Sequence, residues 1–241
     1  MDPISSPTTP SSRVRPAWTT GTLPNTFAAL PSGLLGQLAG TIMRRSNLTQ
    51  QREVLGILTD LTGRDVLEVG CGPGTMLGLL SARPGVGRIL AVDPSTTMRR
   101  MAVRTTTRAI ADGRILIGPG DAERTGLPDG CVDVVVSVNT VAIWPDLDAG
   151  CDELLRVLRP GGRIVLSWHG GSAPPRAVRS MQLSGERSDR VLAALTRRCT
   201  DVRRELTGRC TVFSGTTISG SDRSDAGSDT VSTTAADHRP M

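Results

Sequence analysis

The sequence predicts an α/β fold in which helices cover both faces of an open, doubly wound and mostly parallel sheet. Short apolar segments alternate with helical segments from residue 66 to residue 168, which is the pattern of successive strand–helix units. The strand segments are continuous apolar runs such as CVDVVVSV, as expected when both faces of a parallel sheet are covered. A glycine-rich turn directly follows the first strand.

The elements follow in chain order. Two amphipathic helices come first: GLLGQLAGTIMRR, which Ser32 would cap, and TQQREVLGILTDLTG, which Gly63 would end. The predicted strands are Val66–Val69, Ile89–Val92, 115–117, Val132–Val138 and 164–168. The predicted helices between them are 75–82, 95–111 and 147–158. A last helix near 189–199 and a hairpin of DVRREL and CTVFSG would close the sheet with two antiparallel strands.

The 241 residues suit one domain with low-complexity ends. Residues 1–21 and 216–241 are rich in Ser and Thr and poor in large apolar side chains, which predicts disorder. The folded domain is therefore placed at 22–215.

The net charge of +5 raises the question of nucleic-acid binding. The arginines are single or paired, and aromatic stacking platforms are scarce, so a solvated surface is favoured and nucleic acid is an unlikely partner. The five cysteines form no CxxC pair, which argues against a zinc site or a disulfide framework. Because no signal peptide or membrane-spanning segment is evident, a cytoplasmic location is expected.

The turn in VLEVGCGPGT carries Gly70, Gly72 and Gly74. Glycine permits positive φ and lets a ligand lie against the backbone. The dinucleotide fingerprint G-x-G-x-x-G fails, since Thr75 or Leu77 stands where the third glycine is needed. The pattern present is acidic-x-G-x-G-x-G, with Glu68 as the acidic residue.

This pattern resembles motif I of the class I (Rossmann-like) S-adenosylmethionine-dependent methyltransferases. Three further segments resemble that family in the same order: ILAVDPSTTMRRMA, GPGDAERTGLPDGCVDVVVSVN and ELLRVLRPGGRIVLSW. The resemblance runs from about residue 34 to residue 168 and is greatest to the small-molecule, ubiquinone/menaquinone-type group (methyltransferase domain 11). It implies S-adenosyl-L-methionine as the cofactor.

The resemblance also implies a cofactor site. Asp93 would accept both ribose hydroxyls, for which a carboxylate is well suited. Glu68 would help to hold the aminoacyl end, and Asp121 with the backbone N–H of Ala122 would meet the adenine. The full set is Glu68, Gly70, Cys71, Gly72, Gly74, Asp93, Pro94, Met98, Asp121, Ala122 and Asn139.

Three of these residues have plainer interpretations. Glu68 would then be an ordinary strand-end charge, Asp93 a helix cap, and Asp121 part of a solvated loop. Cys71 is interpreted as a compact filler rather than a nucleophile, since no base stands beside it in the sequence.

The acceptor side offers two candidate catalytic residues, Asn139 after the fourth strand and His169 after the fifth. Asn139 would either orient the acceptor or cap a turn. His169 would be either a general base or a structural residue. Trp144 would wall the pocket or join the core, and the first helix, together with Trp18, would cover the site as a lid or simply dock on the sheet.

These features predict a methyltransferase that moves a methyl group to a small-molecule acceptor by in-line displacement. Alignment of the acceptor and exclusion of water are then the main tasks of the protein. The alternatives are a nucleic-acid or protein methyltransferase, and a non-catalytic module that binds the cofactor. No metal ligand set is predicted.

Overall fold

The computed structural model describes residues 17–19, 44 and 47–218. The α-helices of this part are α1 Leu48–Ile57, α2 Thr75–Ser81, α3 Thr96–Thr105, α4 Thr107–Ala111, α5 Leu147–Arg156 and α6 Gly185–Thr196. The strands are β1 Val66–Val69, β2 Ile89–Val92, β3 Ile115–Gly118, β4 Val132–Val138, β5 Leu158–His169, β6 Cys199–Leu206 and β7 Cys210–Thr217. Two short 3₁₀ helices cover Val141–Ile143 and Arg176–Met181.

The seven strands form one sheet in the order β3-β2-β1-β4-β5-β7-β6. The five strands from β3 to β5 are parallel, and β7 pairs antiparallel with both β5 and β6. The predicted α/β class is therefore confirmed, including the antiparallel hairpin. The strand order reverses between β1 and β4, and ligands of such sheets bind at the carboxyl ends of the strands at this point.

The core forms two apolar layers, one on each face of the sheet. Val135 of β4 packs in one layer with residues of α5 and α6, whereas Val134 and Val136 pack in the other with residues of α1 and α2. Alternate residues of a strand point to opposite faces, so a strand covered on both sides reads as an unbroken apolar run. The interpretation of CVDVVVSV as a central parallel strand is correct for this reason.

The single helix predicted at 95–111 is wrong, because the structure divides it into α3 and α4 at Thr106. Three consecutive threonines lie at the break, and each hydroxyl donates to the carbonyl four residues earlier at 2.9–3.0 Å. Such back-bonding competes with the helical ladder and bends helices.

The largest differences between predicted and observed boundaries are at the end of α1 and at the start of β5. The helix expected to reach Gly63 ends at Ile57, although Leu58 and Leu61 beyond it are still buried. The fifth strand begins at Leu158 rather than at residue 164. Leu158 pairs with Val132, and the regular register resumes only where Arg163 faces Val134, so the Pro-Gly-Gly segment forms an irregularity within the strand.

The ends of the domain extend beyond the predicted limits. Residues 17–19, assigned above to a disordered segment, are tied to the fold by hydrogen bonds to Val141, Ala142 and Trp144. Strand β7 continues past residue 215 to Thr217 because Thr216 and Thr217 pair with Thr200 and Cys199 of β6. Residues 1–16 and 219–241 lie outside the described residues, as does the helix expected after Ser32 apart from Arg44.

Within the described ranges, every helix is too short or too polar to cross a bilayer.

Candidate functional site

The glycine turn after β1 is left-handed at all three glycines. Gly70, Gly72 and Gly74 have φ of 73°, 51° and 81°, values that L side chains rarely adopt. A Cβ on Gly74 would lie 2.8 Å from the Cα of Ala102, and one on Gly70 would collide with the side chain of Thr140. A Cβ on Gly72 would meet nothing within 4 Å. The outer glycines are therefore needed for packing, whereas Gly72 borders open space where a ligand can approach the backbone.

Asp93, directly after β2, fastens this turn. One carboxylate oxygen accepts from the Gly72 N–H at 2.8 Å, and the other accepts from the Ser95 N–H at 2.8 Å. Asp93 is only 6% exposed, and this burial raises the pKa of its carboxyl group despite the two backbone donors. Each oxygen has a second acceptor position, so the carboxylate that fastens the turn can also accept from a ligand.

Glu68 in β1 is fully buried beside the turn. Burial, followed by the nearby Asp93 carboxylate, raises the pKa of Glu68 well above its ordinary value, and the Leu77 N–H partly opposes this by donating to it. Oε2 of Glu68 and the hydroxyl of Thr75 at the start of α2 are buried without a hydrogen-bond partner among the described residues. Buried polar atoms are seldom left unpaired, so these two atoms indicate a polar ligand or water.

The segment after β3 holds the predicted adenine residues. Asp121 is exposed, and its Oδ1 accepts from the backbone N–H groups of Glu123 and Arg124 at 2.9 Å. Ala122 is buried. Of the residues following β2, Pro94 is exposed and Met98 is buried in α3. Asp121 thus stabilises its own tight loop through Oδ1. Its second oxygen, Oδ2, takes no part in these two hydrogen bonds.

Cys71 lies within the turn and is 2% exposed. Burial, and then the Glu68 and Asp93 carboxylates, raise the pKa of its thiol far above the ordinary value. Because a thiol must ionise to act as a nucleophile, this environment favours the interpretation of Cys71 as a compact filler.

Asn139 follows β4 at the point where the strand order reverses. Its backbone is left-handed, with φ of 59°. Its side-chain amide exchanges two hydrogen bonds with the buried amide of Gln50, at 2.7 and 2.8 Å. Asn139 therefore connects β4 to α1, and both polar atoms of its side chain are hydrogen-bonded to Gln50.

His169 ends β5 and is buried, with its ring edge against Trp168 at 5.3 Å between centroids. Burial lowers the pKa of His169 to about 4. The imidazole is therefore neutral near pH 7, the form that a general base requires. In the same strand, the Ser167 hydroxyl is buried and has no described partner.

The three tryptophans lie on the opposite face of the sheet from Gln50. Trp144 and Trp168 are buried in one apolar layer, and Trp18 packs against the same layer. The indole N–H of Trp18 donates to the Val141 carbonyl at 2.6 Å, and its backbone N–H donates to the Trp144 carbonyl at 2.9 Å. Residues 17–19, called the strap below, lie across the turn that follows β4 and are held there by hydrogen bonds.

The structure brings the glycine turn, Glu68, Asp93 and Asn139 to one edge of the sheet, with Asp121 at the end of β3 and His169 at the end of β5. Sequence reasoning missed Gln50, a polar residue at a buried position of an amphipathic helix. Trp18, interpreted above as part of a lid or of a segment docked on the sheet, is held on the turn after β4, although residues 1–21 were predicted to be disordered.

Comparison with known proteins agrees with this geometry. A family model described as a methyltransferase domain matches residues 67–166. Nocamycin O-methyltransferase of Saccharothrix syringae is 33% identical over 146 residues, which cover 60% of this chain and 50% of that protein. The uncharacterized methyltransferase YdaC of Bacillus subtilis (strain 168) is 33% identical over 130 residues, or 54% of this chain and 70% of YdaC.

Among solved structures, a putative S-adenosyl-L-methionine-dependent methyltransferase from Methanococcus maripaludis shares the fold. Its TM-score is 0.63 at 20% identity, over 76% of this chain and 92% of that one. The chain thus spans about half the length of nocamycin O-methyltransferase but most of YdaC. From the methyltransferase-domain match, the coverage of YdaC and the shared fold, the chain belongs to the class I, Rossmann-like, S-adenosylmethionine-dependent methyltransferases.

Proposed function

We propose that this protein transfers a methyl group from S-adenosylmethionine to a small-molecule acceptor. The single observation that carries the proposal is the left-handed turn at Gly72, which borders open space and is held by the buried carboxylate of Asp93. Such a turn serves a ligand whose atoms lie against the backbone. The cofactor of the family fits this turn.

The residues present fit the parts of that cofactor. Asp93 would accept from the ribose hydroxyls, and Gly70, Gly72 and Gly74 would let the methionine portion cross the backbone. The buried, unpartnered oxygens of Glu68 and Thr75 would receive polar groups of the aminoacyl end. Asp121 and Ala122 would meet the adenine, and Pro94 and Met98 complete the proposed set of cofactor-binding residues.

The chemistry that the cofactor supplies when bound is an activated methyl group on a sulfonium. The remaining work of this chain is to align the acceptor and exclude water. Asn139 is fixed by Gln50 at the end of β4, and we propose that this pair shapes the boundary between the cofactor and the acceptor. His169 is neutral and buried at the end of β5, where it would take a proton from an acceptor that must lose one.

A small acceptor is favoured over nucleic acid by the described surface. The tryptophan side chains are buried or bound to the turn after β4, so they provide no exposed platform for stacking bases.

The five cysteines are unpaired, which accords with a reducing cytoplasm as the place of action.

The test is calorimetric titration of the full-length protein with S-adenosylhomocysteine and, separately, with NAD. Binding of the first without the second is expected. Binding of NAD without any response to S-adenosylhomocysteine would overturn the proposal. Activity is then sought by incubating the protein with methyl-labelled cofactor and a metabolite extract, with Asp93→Ala as the negative control.

A further inference from the structure

The positive charge of the protein is concentrated in one part of the chain. Residues 170–210 hold nine of the 28 arginines but only four of the 23 acidic residues. The remaining 19 arginines and 19 acidic residues balance, so this part accounts for the whole net charge of +5. A local excess of one sign attracts ligands of the other sign to that surface.

A cleft of about 200 Å³ lies within this basic part, between the strap and the start of α6. It is lined by Trp18, Thr19, Glu186, Arg187 and Arg190. The Arg190 guanidinium lies over the Trp18 ring at 5.2 Å, and Arg187 donates to the Thr19 carbonyl at 2.5 Å. Both guanidinium groups are thereby held at the cleft with donor positions to spare, since each carries five N–H groups.

The segments on either side of the cleft are hydrogen-bonded to residues at or just beyond the carboxyl ends of β4 and β5. On the β4 side, Trp18 is bonded to Val141, two residues beyond Asn139. On the β5 side, the Trp168 indole donates to the Met181 carbonyl at 2.5 Å, which holds the segment leading into α6 against the end of that strand. These strand ends form the side of the site opposite β2 and β3, where the cofactor's adenosine would lie, and so the side left for the acceptor.

The arginines of this cleft differ from others nearby in lacking a carboxylate partner. Arg197, Arg198 and Arg204 are paired with Asp148, Asp152 or Asp189. No such pair forms at Arg187 or Arg190 among the described residues. The segment 20–46, which follows the strap, contains no Asp or Glu. Glu186 alone lines the cleft as an acid, so the cleft has an excess of one positive charge.

We infer that this cleft binds an oxyanion group, a phosphate or a carboxylate, carried by the methyl acceptor. That the oxyanion belongs to a methyl acceptor rests on the proposed function, whereas the binding of an oxyanion in this cleft does not. The N–H groups of a guanidinium match the spacing of the oxygens in a planar carboxylate or a tetrahedral phosphate, and form charge-assisted hydrogen bonds with them. The acceptor would thus be anchored by its anionic end beside β4 and β5, with its reacting atom directed to the strand ends.

The test is calorimetric titration of the full-length protein with inorganic pyrophosphate and with glutarate, which distinguish phosphate from carboxylate. Binding of at least one is expected, with affinity reduced at least tenfold in Arg187→Gln and in Arg190→Gln. Arg203→Gln is the matched control, because Arg203 is an exposed arginine of β6 outside the cleft, and its loss changes the net charge equally. Its affinity should be unchanged.

Absence of binding by both anions, or equal weakening in Arg203→Gln, would overturn the inference, because the second result would mean attraction by net charge alone. S-adenosylhomocysteine is titrated into the same variants as a separate readout. If the wild-type protein binds the anion but not S-adenosylhomocysteine, the proposed function fails and the oxyanion site stands. If it binds S-adenosylhomocysteine but neither anion, the reverse holds.

Discussion

The proposed cofactor end of the site, at β1 and β2, and the proposed acceptor end, at β4 and β5, are built in different ways. At the cofactor end, a contiguous glycine turn is held by Asp93, 21 residues from Gly72. At the acceptor end, Gln50 meets Asn139 across 89 residues, and Trp18 meets Val141 across 123. The cofactor end is thus formed by the backbone conformation of a short segment, whereas the acceptor end forms only when segments distant in the sequence pack together.

The two ends also differ in electrostatics. Buried carboxyl groups with raised pKa, Glu68 and Asp93, dominate the cofactor end. The acceptor end holds neutral amides, a neutral His169 and, at its rim, Arg187 and Arg190, which form no ion pair within the part of the chain that the structure describes. A cationic cofactor would favour the ionised form of these buried carboxyl groups, so the difference suits a cationic cofactor on one side and an anionic or neutral acceptor on the other.

The largest expected effect is at the cofactor end. Asp93→Ala should weaken S-adenosylhomocysteine binding by about 10-fold to 1000-fold, because two charge-assisted hydrogen bonds to the ribose are lost. His169→Ala is the control at the acceptor end and should leave this affinity nearly unchanged. Calorimetric titration of both variants with S-adenosylhomocysteine measures the two affinities. Equal affinities would contradict the assignment of Asp93 to the cofactor and His169 to the acceptor.

The second effect is the pH dependence contributed by His169. Its folded pKa of about 4 lies below its ordinary value of 6.5, so the unfolded chain binds more protons between these values. Stability from this residue is therefore complete above about pH 6.5 and is lost as the pH falls towards 4, by about 3 kcal/mol at most.

Urea unfolding at pH 7 and pH 4.5 measures this change, and His169→Asn supplies the comparison. The difference in the free energy of unfolding between wild type and variant should shrink at pH 4.5, because only the wild type loses the contribution of His169. Contributions from Glu68 and Asp93 are common to both proteins and cancel. A difference that does not vary with pH would show that His169 is not held neutral by burial.

The third effect tests whether the acceptor end depends on docking of α1. Gln50→Leu leaves the Asn139 amide without its partner and should lower the free energy of unfolding by about 1–3 kcal/mol. Gln51→Leu is the matched control: Gln51 is also buried, but its Oε1 has no described partner, so its replacement should cost little. Denaturant melts of both variants provide the measurement, and similar losses would contradict the role given to the amide pair.

The smallest effect separates the ligand role of Gly72 from its backbone role. Gly72→Ala should cost roughly 1–2 kcal/mol of stability, because an alanine must adopt the left-handed conformation. It should also reduce S-adenosylhomocysteine affinity at least tenfold, since the Cβ enters the space left for the ligand.

Gly63→Ala provides the control, because Gly63 has φ of 68° and open space around it but lies outside the site. A similar stability cost with unchanged affinity is expected there. If Gly72→Ala also keeps full affinity, the cofactor does not lie against this turn.

The sequence by itself determined the cofactor end, because its residues act through local backbone geometry. The bounds of β1, β2 and β4 were predicted to the residue, since apolar runs followed by Gly70, Asp93 and Asn139 are local signals. The same local information failed at Thr106, where hydroxyl back-bonding divides a helix, and at Leu158, where the neighbouring strand starts the pairing early.

Only the tertiary structure decided the acceptor end. Nothing local in a Gln, an Asn or an isolated Trp specifies a partner about 90 to 120 residues away, because such contacts form after the sheet has brought the strand ends together. The neutral state of His169 follows from its burial, and the charge of Arg187 and Arg190 is left without an ion pair to any described carboxylate. Both are properties of the packed surroundings rather than of the residue type.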